Sequence, residues 1–315
     1  MPEHPLPFEN SPRRSLFANL LILTGLVLTG LFLGQFLGLL LAQTATGLSF
    51  DQLPKVLQTP GQYPGAWNAL MWIQAGSSLG GFVLAPWLFW RFFEGRELAQ
   101  FNQAGVNPVV WPLVFLLGIL VMPFNGWVYE LNQALDLPPV LQPVEDWMKA
   151  QETSLDELTR FLTQFSSPWQ LFVGLLVVAV IPAVGEELLF RGVAQNLFRW
   201  AFGNVHVAIW LSAALFSAIH FQFYGFFPRL FLGALFGYLY AWTRNLSVAM
   251  FAHFVNNGVT LVGVYLFRNK VVDYDIENTD SVPVLAALIS LGLATALLWT
   301  VRKRSETRSD VGTIS

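Results

Sequence analysis

Long apolar runs separated by short polar breaks make up most of the chain. Eight runs stand out: Leu16 to Ala42, Ala66 to Phe93, Val109 to Val128, Pro168 to Trp200, Val205 to Phe221, Phe226 to Trp242, Leu246 to Phe267 and Val282 to Val301. About 20 apolar residues rising 1.5 Å each cross the roughly 30 Å of hydrocarbon in a bilayer. The first run is too long for the apolar core of a cleaved leader. Gly30, Gly34 and Gly38 recur along it every four residues, a stripe suited to close helix packing. The pattern predicts an all-α, polytopic integral membrane helix bundle of about eight transmembrane helices, with no sheet core.

The polar breaks divide the chain into five stretches. Residues 1–15 form a proline-rich polar tail, and 16–128 hold three membrane helices with their loops. Residues 129–167 are an acidic insert, in which seven acids (Glu130, Asp136, Glu145, Asp146, Glu152, Asp156, Glu157) face two bases, Lys149 and Arg160. That balance suits an amphipathic surface helix. Residues 168–267 hold four apolar runs that form a membrane core, and 268–315 hold the last membrane helix and a basic tail. Alternating eight spans from a cytoplasmic N-terminus places eleven of the 17 Lys and Arg residues inside, which favours both termini in the cytoplasm. The loop from Asp273 to Asp280 is then external.

Composition agrees with a chain built for lipid. Its mean hydropathy is +0.52, and only 12% of residues are charged, half the usual share for a soluble domain. The expected location is a membrane, with the chain as an integral membrane protein. No cysteine is present, which removes disulfides, thiolate nucleophiles and Cys-liganded zinc. A net charge of -3 gives no reason to expect a nucleic-acid partner.

Chemistry can then be sought by elimination. All eight aspartates and all four lysines fall in loops, insert or tails, so neither a paired aspartyl site nor a Ser-Lys dyad is available inside the runs. Gly76-Ser77-Ser78-Leu79-Gly80 fits G-x-S-x-G but lies inside an apolar helix, where a strand-turn-helix elbow cannot form, and reads as helix packing. What remains is Glu186, Glu187, Arg191, His220, His253, Asn256 and Asn257. Glu187 and Arg191 stand at i and i+4, acid first, the favourable order for an ion pair on one face. Glu186 has no local counter-ion. His253 and Asn257 share a helix face by the same spacing, and His220 follows Phe216 by one turn. Singly, His220 suits a helix-to-helix hydrogen bond and Glu187 with Arg191 a structural pair. Together they carry an insertion penalty of roughly 10 kcal/mol, which packing alone does not call for.

Glu-Glu-x-x-x-Arg at Glu186, Glu187 and Arg191, Phe-x-x-x-His at Phe216 and His220, and His-x-x-x-Asn at His253 and Asn257 resemble, in order, the motifs of the CPBP intramembrane proteases. That family includes the type II CAAX prenyl endopeptidases and the Abi bacteriocin-processing or self-immunity proteins. The resemblance implies an endopeptidase sunk in the bilayer and opening toward the cytoplasm, acting on a peptide or membrane-anchored protein. By position, Glu186 and His220 would hold and deprotonate the attacking water. His253 and Asn257 would donate to the oxyanion, and Glu187 and Arg191 would brace the site or grip substrate. A metal is optional: Glu186, His220 and His253 offer the three ligands a catalytic zinc takes, and the same residues serve a metal-free site. The competing reading is a non-enzymatic bundle, an immunity or transporter-like protein that uses the same cluster for binding.

Overall fold

The computed structural model describes residues 12–273 and 282–309, with side chains to residue 306. Most of the expected N-terminal tail, most of the loop from Asp273 to Asp280 and the end of the basic tail lie outside the described residues. Among those described, the structure is helical, with one isolated bridge between Asn102 and Asn245 and no strand.

Among the described residues, ten helices carry the fold. They are α1 (Leu16–Thr46), α2 (Leu53–Gln58), α3 (residues 66–93), α4 (Val110–Gln133), α5 (Gln142–Leu162), α6 (Pro168–Phe202), α7 (Val205–Ala218), α8 (Phe226–Thr243), α9 (Leu246–Arg268) and α10 (Val284–Ser309). Five of them, α1, α4, α6, α9 and α10, contain stretches long and apolar enough to cross a membrane. Helix α7, at 14 residues or about 21 Å, is shorter than the hydrocarbon is thick.

Local chemistry explains the starts and bends. Ser15 caps α1, its Oγ accepting from the Ala18 N–H at 3.3 Å. Asn204 and Asn245 cap α7 and α9 in the same way. Helices α3 and α6 each widen into a π turn, Leu79–Leu84 and Leu175–Val180, just before Pro86 and Pro182. A proline inside a helix removes one N–H and clashes with the preceding turn, and the wider turn makes room for it. Helix α4 breaks at Val121, just before Pro123. The expected glycine stripe is where α1 meets α3: a Cβ on Gly34 would stand 2.1 Å from the Gly76 carbonyl oxygen, and one on Gly30 2.2 Å from that of Gly80. Gly76 and Gly80 therefore serve packing.

One boundary differs from expectation in a way that matters for the site. The run Val205 to Phe221 reads as continuous helix, but α7 stops at Ala218, and Phe221 takes the left-handed conformation at φ +53°. His220 thus stands past a helix end, at the start of a loop over residues 219–225.

The two ends of the bundle are distinct. At one, Arg14 Nη1 donates to the Phe93 carbonyl at 2.8 Å, Leu246 N–H to Asn102 Oδ1 at 2.8 Å, and Arg244 Nη2 to Gln103 Oε1 at 2.7 Å. At the other lie α5, the loop 219–225, and the ends of α6 and α9, where Asn269 Nδ2 reaches the Phe165 carbonyl at 3.4 Å. Trp67 Nε1 ties the last turn of α5 to α3 through the Leu162 carbonyl at 2.9 Å.

Candidate active site

Glu187 is the centre of the polar cluster. Its Oε1 accepts from Arg191 Nη1 at 2.6 Å, the i,i+4 pair expected from sequence, and from His253 Nδ1 at 2.8 Å across to α9. Glu187 and Arg191 have no exposed surface and His253 is 4% exposed, so three polar groups are desolvated together. Taking charges out of water is expensive unless each finds partners, and Arg191 finds several. Its Nη2 donates to the Gly233 carbonyl at 2.9 Å, and its guanidinium lies 4.6 Å from the Phe216 ring centre and 5.4 Å from that of Phe236. Desolvated cation–π contacts of this kind contribute on the order of 2 kcal/mol. Glu187 Oε2 and Arg191 Nε are buried with no hydrogen-bond partner among the described residues.

The same aromatic pair fixes His253. Phe236 stacks on its ring at 5.1 Å and 18°, and Phe216 meets it edge-on at 5.9 Å and 88°. With Nδ1 donating to Glu187, His253 presents the lone pair of Nε2 to Glu186, whose Oε2 is 3.9 Å away. Glu186, without a neighbour on its own helix, therefore faces α9. A water oxygen at ordinary hydrogen-bond distance from both atoms bridges a gap of 3.9 Å.

His220 joins the cluster through Phe216. Its Nδ1 donates to the Phe216 carbonyl at 2.8 Å, and its ring sits edge-on to the Phe216 ring at 5.0 Å. Nε2 is thereby left as the acceptor. Asn257 lies one turn beyond His253, and its Oδ1 accepts from Asn256 Nδ2 at 3.3 Å, so the two carboxamides act as one unit. All six expected residues belong to helices α6 and α9 or to the end of α7.

Burial is graded along every one of these elements. Glu187, Arg191 and His253 are buried, whereas Glu186, His220, Asn256 and Asn257 are partly exposed. Each exposed member lies toward the α5 end of the bundle. Glu186 precedes Glu187 on a helix that starts there, Asn257 follows His253 on a helix that ends there, and His220 follows the end of α7.

Three contributors escaped the sequence reading, all on α8. Gly233 accepts from Arg191, Gly237 accepts from Gln195 Nε2 at 3.3 Å, and Phe236 stacks on His253. The signal was present as Gly-x-x-x-Gly, which marks close approach without naming what approaches. A second π turn, Leu188–Ala194, spans Arg191 and leaves the Phe190 carbonyl also accepting from Ser212 Oγ at 2.8 Å on α7. Such turns are common at functional sites.

For zinc, three protein ligands must converge about 2 Å from one point. Glu187 Oε1 is taken by Arg191 and His253, and among the described residues no group of three His, Asp or Glu side chains comes together to hold a metal. The expected set of Glu186, His220 and His253 does not form a three-ligand site in this arrangement.

Residues 168–259 match a family model described as "Type II CAAX prenyl endopeptidase Rce1-like". The chain is also similar to an uncharacterized protein, YpbD, of Bacillus subtilis (strain 168), with 33% identity over 104 residues. That alignment covers 32% of this chain and 48% of YpbD, so the chain spans about half the length of the curated relative it matches. No solved structure matches.

Proposed function

We propose, from a core that over residues 168–259 is similar to the Rce1-like type II CAAX prenyl endopeptidases, that this protein is an intramembrane endopeptidase using a water activated by Glu186 and His253. The observation that carries the reading is the double engagement of Glu187 Oε1, which holds Arg191 and His253 at once and leaves His253 Nε2 facing Glu186. An imidazole held by a carboxylate on one nitrogen has a defined tautomer and a fixed orientation, as in other hydrolytic sites.

The steps need only these side chains. Water held between Glu186 Oε2 and His253 Nε2 attacks the scissile carbonyl carbon while Glu186 takes its proton. The carbonyl oxygen becomes an oxyanion, stabilised by the Asn256 and Asn257 carboxamides. Glu186 then returns the proton to the leaving nitrogen as the C–N bond breaks, giving a carboxylic acid and an amine. His220, with Nε2 free to accept, orients the substrate or the water from the exposed side. This shifts the water's second partner from His220, as the motif order implied, to His253. Glu187 and Arg191 brace the site.

The same reading takes all eight apolar segments as membrane crossings with both termini in the cytoplasm. Helix α6, at 35 residues or about 52 Å, then crosses obliquely, which lets Glu187 reach His253 although the two lie at different distances from their helix ends. The graded burial opens the site at the α5 end, away from the termini. On this reading cytoplasmic termini go with an opening on the outer face, in place of the cytoplasmic opening that the family resemblance implies. The basic residues favour cytoplasmic termini, and the substrate is then an exported or membrane-anchored peptide.

The test is peptidase activity on a library of membrane-associated peptides with detergent-purified protein. Cleavage by wild type that is lost in folded Glu186→Gln and His253→Gln supports the assignment. A folded wild type that cleaves nothing reduces the cluster to a binding site.

A further inference from the structure

Helix α5 lies outside the family-like stretch, yet its side chains hold the loop that follows His220. Phe221 in that loop adopts φ +53°, a conformation unfavourable for a side-chain-bearing residue, so the path of residues 219–225 has to be imposed from outside.

The contacts that impose it are specific. Gln222 Nε2 donates to Asp156 Oδ1 of α5 at 3.2 Å, and the Tyr224 N–H points to Glu152 Oε2 of α5 at 3.4 Å. Arg229, on the first turn of α8, donates to the Gln222 carbonyl at 3.3 Å and to Gln222 Oε1. Gln222 is thus gripped at both ends of its amide and at its backbone. Trp147 of α5 packs on Phe223 with ring centres 5.3 Å apart. Glu152 is only 5% exposed, so its position is a packed feature of the fold.

His220 has few restraints of its own. Its backbone N–H reaches the Ser217 carbonyl at 3.3 Å, and its ring makes one hydrogen bond among the described residues, to the Phe216 carbonyl. Two residues further on, the chain is held by α5 through Gln222, and Asn132 of α4 donates to the next carbonyl, that of Phe223, at 3.2 Å.

We propose that the acidic insert is a positioning element of the site: Asp156 and Glu152, acting through Gln222 and the Tyr224 amide, set the course of the 219–225 loop and so the direction of the His220 ring. The kinetic consequence rests on the peptidase reading, but the structural one does not. The acids of α5 are positioning residues, since they act through the loop. The insert thereby gains a role that its composition alone did not suggest.

The chain has four histidines, so the imidazoles of protein labelled with isotopic histidine can be assigned by NMR, His220 being the signal lost in His220→Gln. The expected result is that Asp156→Ala and Gln222→Ala both move the His220 signal and leave that of His206 in place. Asp156→Asn, which keeps an oxygen for Gln222 to donate to, restores it. On a cleavable peptide the alanine variants lower kcat about 3- to 10-fold, the worth of one net hydrogen bond, with KM little changed. An unmoved His220 signal in both alanine variants overturns the proposal whether or not the protein cleaves peptides. If Asp156→Ala does not fold, Gln222→Ala alone decides. A shifted signal in a protein whose wild type cleaves nothing upholds the positioning role and removes the peptidase reading.

Discussion

Glu187 Oε1 and His253 Nδ1 meet at 2.8 Å between helices α6 and α9, and the same oxygen holds Arg191 at 2.6 Å. One buried carboxylate oxygen thus sets the charge balance of the core and the tautomer of the histidine beside Glu186. The carboxylate is braced and buried, and the partly exposed acid next to it, Glu186, is left for chemistry.

Removing Glu187 strands a buried guanidinium. Glu187→Ala is expected to destabilise the protein by about 3–5 kcal/mol, the usual consequence of breaking one side of a buried pair. Glu187→Gln keeps an acceptor for both donors but loses the charge, so it should fold and cleave poorly, with a shifted pH profile. Thermal survival in detergent, followed by size-exclusion chromatography with peptide cleavage on the surviving fraction, checks both. A Glu187→Ala protein as stable as wild type would contradict the burial argument.

Helix α8 supplies the wall behind Arg191. A Cβ on Gly233 would stand 3.0 Å from the Ala213 Cβ and 3.2 Å from Arg191 Nη2. Gly233→Ala should therefore cost about 1–3 kcal/mol through overpacking and displace the guanidinium. Phe236→Leu keeps bulk but removes the face that stacks on His253 and Arg191, and should lower kcat more than thermal survival. Equal effects of the two variants on both measurements would argue against this division of labour.

Much of this site follows from spacing within one helix. The i,i+4 rule predicted the Glu187–Arg191 pair, and four-residue intervals marked Gly30, Gly34 and Gly38 for close packing without naming α3 as the partner. Contacts between distant segments did not follow. Nothing local marks Ala218 as a helix end, because no glycine or proline occupies 219–221 and Phe221 takes a conformation rare for its type. That α5 would grip this loop was equally hidden, since an acidic amphipathic segment announces a solvated face and not its partner. The zinc alternative was open in sequence because Glu186, His220 and His253 are suitable donors, but whether three side chains converge depends on contacts between helices, and among the described residues no such group of three comes together.

The insert gives a pH prediction. Burial pushes the carboxyls of both Glu152 and Asp156 up, against the Tyr224 amide at Glu152 and Arg160 at Asp156; Arg229 of α8 and Tyr129 of α4 are the other charged or titratable groups facing them. A raised carboxyl favours the neutral acid in the folded state, so stability from these groups falls as pH rises from the ordinary carboxylate range through the raised values. Below that range they contribute no slope. The variant carrying Glu152→Gln and Asp156→Asn mimics the neutral pair and should show a flatter dependence of Tm on pH between the ordinary carboxylate range and the raised values. Parallel slopes in the variant and wild type would refute the assignment.

Membrane orientation decides which peptides can reach the site. Val140, just before α5, is 84% exposed, while Ala201 is exposed near the end of α6 on the opposite side of the bundle. This chain lacks cysteine, so single Val140→Cys and Ala201→Cys variants of it can be labelled without background. Alternating eight spans puts eleven basic residues on the side of Ala201 and six on the side of Val140, so the positive-inside bias predicts an external α5. In intact bacterial cells a membrane-impermeant maleimide should then label position 140, and position 201 only after lysis. The partly exposed Glu186, His220 and Asn257 would draw substrate from outside, which suits exported or surface-anchored peptides. The opposite labelling would turn the same site toward the cytoplasm, put the termini outside, and make a cytoplasmic CAAX-like tail the peptide to test first.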